Sequence, residues 1–435
     1  MKTLTAFLLA MGVAVPAAFA QQEIPVTQSE HPPLIKRDLP EIQKGREMRV
    51  GIFRLHPSLQ AGVEYDDNIR LSDSAEKEDV ILTEMPALLA EVRPGDHRLS
   101  AGYMAEMLQF VDVSEEDAVN HIAKGEAEFD LGRLQIGVKD LMVDSTSRLH
   151  REDSSRDHVL LNTADAQARW VQGKWVMEGG YRNNLVDHKP LFSTDDDYVE
   201  NIGTALLGHK VGAKTALFIE GSLGEVDYDS NLGNADHDYW QVMAGLGYRE
   251  HFRQYDETEE RVERAAQSKV NAALRLGFQD RDLSDVTGRA PQDGFDGLVS
   301  DSSIEYRPTP AESISLKYAA AAHVSTFQTN EWYRQDRVSF AWKKRLLKKW
   351  YVIPRLSWSR NNYPELATVG GVTDEREDDI FQFQPELRYE PRVNKETGQA
   401  WMWASLIFTF RNRDSNLDGL DFDNNKVGVK VGITY

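Results

Sequence analysis

The sequence contains no cysteine. That excludes a disulfide framework, a thiolate metal site and a lipid anchor on an amino-terminal cysteine. It also lacks any apolar run long enough for a membrane-spanning helix. Common enzyme signatures are missing too: there is no Gly-x-Ser-x-Gly, no His-Glu-x-x-His and no phosphate-binding loop. An excess of basic charge is absent as well. Lys and Arg number 50 against 70 Asp and Glu, a net charge of -20, which argues against a nucleic-acid partner. No cofactor is expected. A hydrolase built into a barrel wall around His56, His121 or His158 is the enzymatic alternative, but no spacing singles out a trio.

The amino terminus reads as an export signal. Lys2 is followed by a short apolar stretch from Leu4 to Val15 and a small-x-small site at Ala18-Phe19-Ala20. Residues 1–20 therefore read as a signal peptide that is removed. Residues 21–48 hold Pro25, Pro32, Pro33 and Pro40 among charges, and read as a periplasmic extension without a core.

From residue 49 to 435 the pattern has period two. Leu55, Pro57, Leu59, Ala61, Val63 and Tyr65 alternate with His56, Ser58, Gln60, Gly62 and Glu64. Val270, Ala272, Leu274, Leu276 and Phe278 alternate with Asn271, Arg275 and Gln279. Such runs last longer than the strands of a soluble sandwich and match a tilted bilayer crossing. Strand centres fall near residues 60, 86, 103, 125, 138, 166, 179, 204, 219, 244, 274, 303, 317, 338, 356, 384, 406 and 430. The mean hydropathy of -0.51 fits, because half of each strand must suit water. The final segment, Lys426 to Tyr435, alternates to its last residue and ends in an aromatic.

The expected fold is thus all-β: a transmembrane antiparallel β-barrel of about eighteen strands in the outer membrane. Both termini are expected in the periplasm. Connections after odd-numbered segments are long and acidic: Ser72–Asp79, Val113–Asp117, Asp144–Asp157, Asp187–Asp197, Asp227–Asp238, Asp280–Asp296, Asp374–Asp379 and Asp414–Asp423. They read as extracellular loops. Connections after even-numbered segments are tight, as at Arg93-Pro94-Gly95-Asp96 and Gln172-Gly173-Lys174, and read as periplasmic turns. The stretch from Arg249 to Ser268 breaks this rule and is either a short helix or a miscount. Tyr103, Trp170, Trp175, Tyr181, Tyr198, Trp240, Tyr248, Trp332, Trp342, Trp350, Trp358, Tyr363, Trp401 and Trp403 are expected in belts at the lipid headgroups.

Phase along the strands assigns the interior. Candidate lumen-lining bases are Arg133, Lys139, Arg169, Lys174, Arg182, Lys214, Arg275, Lys317, Arg337, Arg355, Arg388, Lys426 and Lys430. Candidate inward acids are Glu64, Glu126, Glu128, Asp130, Glu178, Glu220 and Glu386. Two readings compete. The charges form a cross-strand ladder that solvates the wall, or they form a polar track for an anionic polymer or solute. Asp414-Ser415-Asn416-Leu417-Asp418-Gly419 fits the first half of a calcium loop, but Asn425 stands where a bidentate Glu is needed. An acidic hairpin loop is the simpler reading.

One motif carries a resemblance. His56-Pro57-Ser58-Leu59-Gln60-Ala61-Gly62-Val63-Glu64-Tyr65-Asp66-Asp67-Asn68-Ile69 resembles the opening strand of the beta-barrel porin 2 family. The resemblance implies an outer-membrane, porin-like barrel. Some members are tied to export of exopolysaccharide or capsular polysaccharide, with a periplasmic polysaccharide-export protein as partner. It implies no catalytic residues. Expected partners are therefore outer-membrane lipid, lipopolysaccharide, the secreted polysaccharide and that export protein. A general or small-solute diffusion porin is the alternative.

Overall fold

The computed structural model describes residue 42 and residues 47–146, 158–188, 197–229, 236–251, 268–283, 294–309, 311–325, 330, 332–369, 371–393 and 400–434. Residues 1–20, read above as a signal peptide, most of the 21–48 stretch, the stretch 252–267 and much of four long loops lie outside them.

Period-two alternation builds extended chain, because only a strand sends successive side chains to opposite solvents. The strands are β1 Met48–Val50, β2 Phe53–Asp66, β3 Asp79–Val92, β4 Arg98–Phe110, β5 Ala118–Asp130, β6 Leu134–Ser145, β7 Val159–Gln172, β8 Trp175–His188, β9 Tyr198–Lys210 and β10 Thr215–Tyr228. They continue with β11 His237–His251, β12 Ser268–Leu283, β13 Phe295–Thr309, β14 Glu312–Val324, β15 Trp332–Leu347, β16 Trp350–Val369, β17 Val372–Val393, β18 Ala400–Ser415 and β19 Phe422–Thr434. All the expected strand centres fall inside β2 to β19. A 3-10 turn occupies Ser114–Glu116 in the connection after β4.

Each strand pairs antiparallel with the next, and β19 pairs with β2. The sheet therefore closes on itself and leaves no edge. β1 is a short addition that folds back on β2 through Gly51, at φ +62. Before it, Arg49 donates to Glu47 at 2.6 Å and holds that carboxyl below the usual carboxylate range.

Burial is inverted relative to a soluble sheet. On the outer face Leu223 and Leu298 are 70% and 61% exposed, whereas Met104 and Val143 on the inner face are both 0% exposed. An apolar outer belt around a closed ladder is a transmembrane barrel.

The seam between first and last strands is tied above its ladder by the Tyr65-Asp66-Asp67-Asn68 motif. Asn424 Nδ2 donates to Asp66 Oδ1 at 2.5 Å and to the Asn68 carbonyl at 3.2 Å. Asn425 donates its backbone N–H to Asp67 Oδ1 at 2.7 Å and its side-chain amide to Asp67 Oδ2 at 2.8 Å. Asn68 Nδ2 donates to the Asp423 carbonyl at 3.0 Å, and Lys426 Nζ lies 2.6 Å from Asp66 Oδ2. Asp66, Asn68 and Asn424 are all buried, so these bonds are shielded from water.

Some boundaries differ from expectation. Asp374–Asp379 is not a loop: β16 and β17 run on as a long hairpin, with Leu366 opposite Glu375 and Thr368 opposite Thr373. Beyond the belt both faces meet water, so hydropathy stops alternating while the backbone ladder continues. Tyr198, Tyr363 and Trp403 turn into the barrel rather than toward headgroups. Asn424→Ala removes the donor to Asp66 and Asn68 and is expected to lower stability by about 1–3 kcal/mol. The check is an earlier loss, on heating, of the fast-migrating folded band in a detergent gel, which Asp73→Ala in the exposed connection should not produce.

Candidate functional site: the barrel interior

Strand register decides which side chains face inward. Directly paired residues share a face, so the buried His56, Ser58 and Gln60 of β2 carry the inner face around the whole ladder. Contacts that skip a strand confirm this concave side. Tyr239 of β11 donates to Glu200 of β9 at 2.9 Å, and Arg275 of β12 reaches Glu220 of β10 at 3.5 Å.

An apolar cluster occupies part of the interior. Met85, Leu89, Met104, Ile122, Val143, Leu161, Val186, Ile202 and Val226 form one buried cluster across β3 to β10. Ile42 belongs to it. A Cβ on Gly102 would meet Ile42 Cδ1 at 3.1 Å, so the chain ahead of β1 touches the inner wall there. A second inward contact lies at the top of β14. Above the Ser300–Ala320 pair β14 leaves β13, and the Ala322 N–H bonds to Gln279 Oε1 at 3.1 Å. Ala322 packs there with Met243, Phe295 and Val299.

A polar wall spans β12 to β19 and β2. Of the thirteen candidate bases, Lys139, Arg169, Arg182, Arg275, Lys317, Arg337, Arg355, Arg388, Lys426 and Lys430 occupy inward register positions. Arg133, Lys174 and Lys214 do not: they lie in the turns before β6, β8 and β10, where their strands have not yet begun. Lys214 instead pairs with Glu250 at 2.7 Å across the narrow end. Glu64, Glu126, Glu128, Asp130, Glu178, Glu220 and Glu386 all sit at inward positions.

Many of the charges neutralise one another across strands. Arg169 reaches Glu178 at 2.6 Å and Arg182 reaches Asp165 at 3.0 Å. Arg355 reaches Glu386 at 3.1 Å, and Arg388 reaches Glu390 at 3.2 Å while covering the Trp403 ring at 4.6 Å. Lys139 and Lys430 have no salt bridge among the described residues.

Several inward bases escaped the sequence reading. Arg411 and Arg413 follow the outward Phe408 and Phe410 in phase, so their alternation was available; Lys343 and Arg376 lie past the apolar runs. Arg376 is 0% exposed and grips Asp378 with two bonds, Nε to Oδ1 at 3.0 Å and Nη2 to Oδ2 at 2.6 Å. Its guanidinium lies over the Tyr363 ring at 4.6 Å, and Tyr363 stacks on Tyr333 at 5.0 Å. Arg413 approaches Asp378 at 4.0 Å and covers the Phe422 ring at 4.9 Å. One carboxylate thus serves two buried guanidiniums.

Other candidates resolve locally. In the Asp414–Asp423 connection, Asp421 accepts the Ser415 N–H at 2.6 Å and Asp423 accepts from Asn412 at 2.8 Å. No group of His, Asp and Glu suited to a metal occurs among the described residues. His121 bonds to Tyr103 at 2.7 Å, and His158 bonds to Asp144.

The fold and interior define a class: an outer-membrane β-barrel of eighteen crossing strands. No protein-family model and no curated protein matches the chain by sequence. The opening-strand resemblance therefore stays a resemblance. Among solved structures the chain is similar to Pseudomonas aeruginosa OccK2 (OpdF), at 11% identity and TM-score 0.46, covering 88% of this chain and 98% of that one. It is similar to Acinetobacter baumannii OccAB3 at 10% identity and TM-score 0.45, covering 89% and 100%. Outer membrane protein OpdK of P. aeruginosa aligns at 9% identity and TM-score 0.44, covering 88% and 99%.

Asp378→Ala leaves Arg376 and Arg413 buried without their shared carboxylate. It is expected to cost about 3–5 kcal/mol, measured as a lower unfolding temperature by circular dichroism in detergent.

Proposed function

We propose that the barrel is a passive channel for small anionic solutes. The observation that carries this reading is the cationic stripe on the inner face of β14 to β19: Lys317, Arg337, Lys343, Arg355, Arg388, Arg411, Lys426 and Lys430. An anion moving along such a wall exchanges one positive partner for the next. The apolar cluster across β3 to β10 occupies part of the interior, which favours a route along the basic stripe. In this reading the tight-turn end and both chain termini face the periplasm, and the acidic connections meet lipopolysaccharide outside.

A second reading is export of an anionic polysaccharide, handed over by a periplasmic export protein. The opening-strand motif favours it, through the relatives that share such a strand. An extended polymer needs an unobstructed bore, and the inward packing of Ile42 and Ala322, which takes up interior space, favours the small-solute reading over it.

Planar-bilayer recording of the full mature chain tests both. The channel reading expects open-pore currents and a reversal potential on the anion-selective side of zero in a potassium chloride gradient. Lys317→Glu with Lys430→Glu should move that potential toward cation selectivity. Absence of conductance, or cation selectivity in the unmodified protein, overturns the channel reading. Loss of surface polymer on gene deletion, with small-anion uptake unchanged, would favour export instead.

A further inference from the structure

The hairpin joining β15 to β16 is unlike the other tight turns. Arg345, Leu346, Leu347, Lys348, Lys349 and Trp350 form an unbroken exposed run. Leu346 and Leu347 are 54% and 67% exposed, and Trp350 is 38% exposed. Two leucines at the tip of a hairpin are unfavourable in water. They lie beside Lys348 and Lys349, which have no ion pair among the described residues; Arg345, paired with Tyr351, is in the inward phase. The nearby acid is already engaged: Glu312 accepts from Trp342 Nε1 at 2.9 Å and lies 3.8 Å from Lys344.

The tip is also held in place. The Arg345 N–H donates to the Ala311 carbonyl at 3.0 Å, and the Lys349 carbonyl accepts the Glu390 N–H at 2.8 Å. Trp350 packs on Tyr389 with ring centres 4.8 Å apart. Leu347 pairs with the outward Trp350, which makes the tip continuous with the lipid-facing belt. The opposite end of the outer face has the other sign. Glu225, Asp238 and Asp282 stand in one register row on β10, β11 and β12.

We propose that this tip binds an anionic phospholipid of the leaflet it touches. The headgroup phosphate meets Lys348 and Lys349, and an acyl chain covers Leu346, Leu347 and Trp350. Charge complementarity selects an anionic lipid, and the apolar side chains beside the cations select a lipid over a soluble anion. Cations at an anionic surface each favour binding by about five-fold, so the two act together strongly. The inference rests on the outer face and is independent of what the lumen carries.

The full mature protein is reconstituted with equal phosphatidylglycerol and phosphatidylcholine, and lipids retained on the folded barrel are counted by native mass spectrometry. The wild type is expected to retain phosphatidylglycerol preferentially. A variant combining Lys348→Gln and Lys349→Gln should lose at least about ten-fold of that preference. Arg133→Gln with Lys174→Gln, in two other turns, should keep it. Equal retention of both lipids by the wild type overturns the proposal, as does an undiminished preference in the folded double variant. Salt provides a test that needs no variant. The wild-type preference should fall as ionic strength rises, and a preference indifferent to salt also overturns the proposal.

Discussion

Hydrocarbon offers no hydrogen-bond partner, so every backbone N–H and C=O in the belt must be satisfied within the protein. For a chain without a spanning helix this requirement has one solution, a ladder that closes. The β19–β2 pairing is therefore the contact on which the rest depends. Once it forms, each strand residue faces either lipid or lumen. Register shifts fall near strand ends at Glu250/His251, Tyr306/Thr309 and Arg345/Leu347, and within the long β16–β17 hairpin at Asn362/Leu366. The Asp66-Asp67-Asn68 clasp, with Asp66 and Asn68 buried, sits at this junction and gives a physical reason for an otherwise obscure polar motif.

Closure also creates an interior, which the chain treats as two different environments. Across β3 to β10 a cluster of methionines and branched aliphatics packs like the core of a soluble protein, beside inward ion pairs such as Arg169–Glu178 and Arg182–Asp165. On the opposite wall guanidinium groups lie on aromatic rings as well as on carboxylates. Arg376 with Asp378 and Tyr363, and Arg388 with Glu390 and Trp403, are examples. The carboxylate neutralises each guanidinium and the ring covers its face. Further bases such as Lys343 and Lys430 add positive charge to that wall.

The outer surface is asymmetric too. Its tight-turn end carries Lys348 and Lys349, while its opposite end carries the row Glu225, Asp238 and Asp282. The two ends thus differ in charge, with an apolar belt between them.

Much of the barrel was legible in the order of residues. Strand number, strand centres and the inward or outward phase of residues such as Arg355 and Leu356 follow from period two, because lipid and water sort side chains residue by residue. That signal fades where both faces are wet, and Asp374–Asp379 was accordingly read as loop although the ladder continues there. It is also silent on depth and curvature. Arg133, Lys174 and Lys214 share the phase of inward residues yet sit in turns, and Tyr198, Tyr363 and Trp403 look like belt aromatics yet point inward. Local alternation determined the fold, since each strand's faces are set by its own solvents. The tertiary structure alone decided that Asp66 meets Asn424, that one Asp378 serves two arginines and that Ile42 reaches the inner wall. Those contacts join residues far apart in sequence, and only closure of the barrel sets the distances between them.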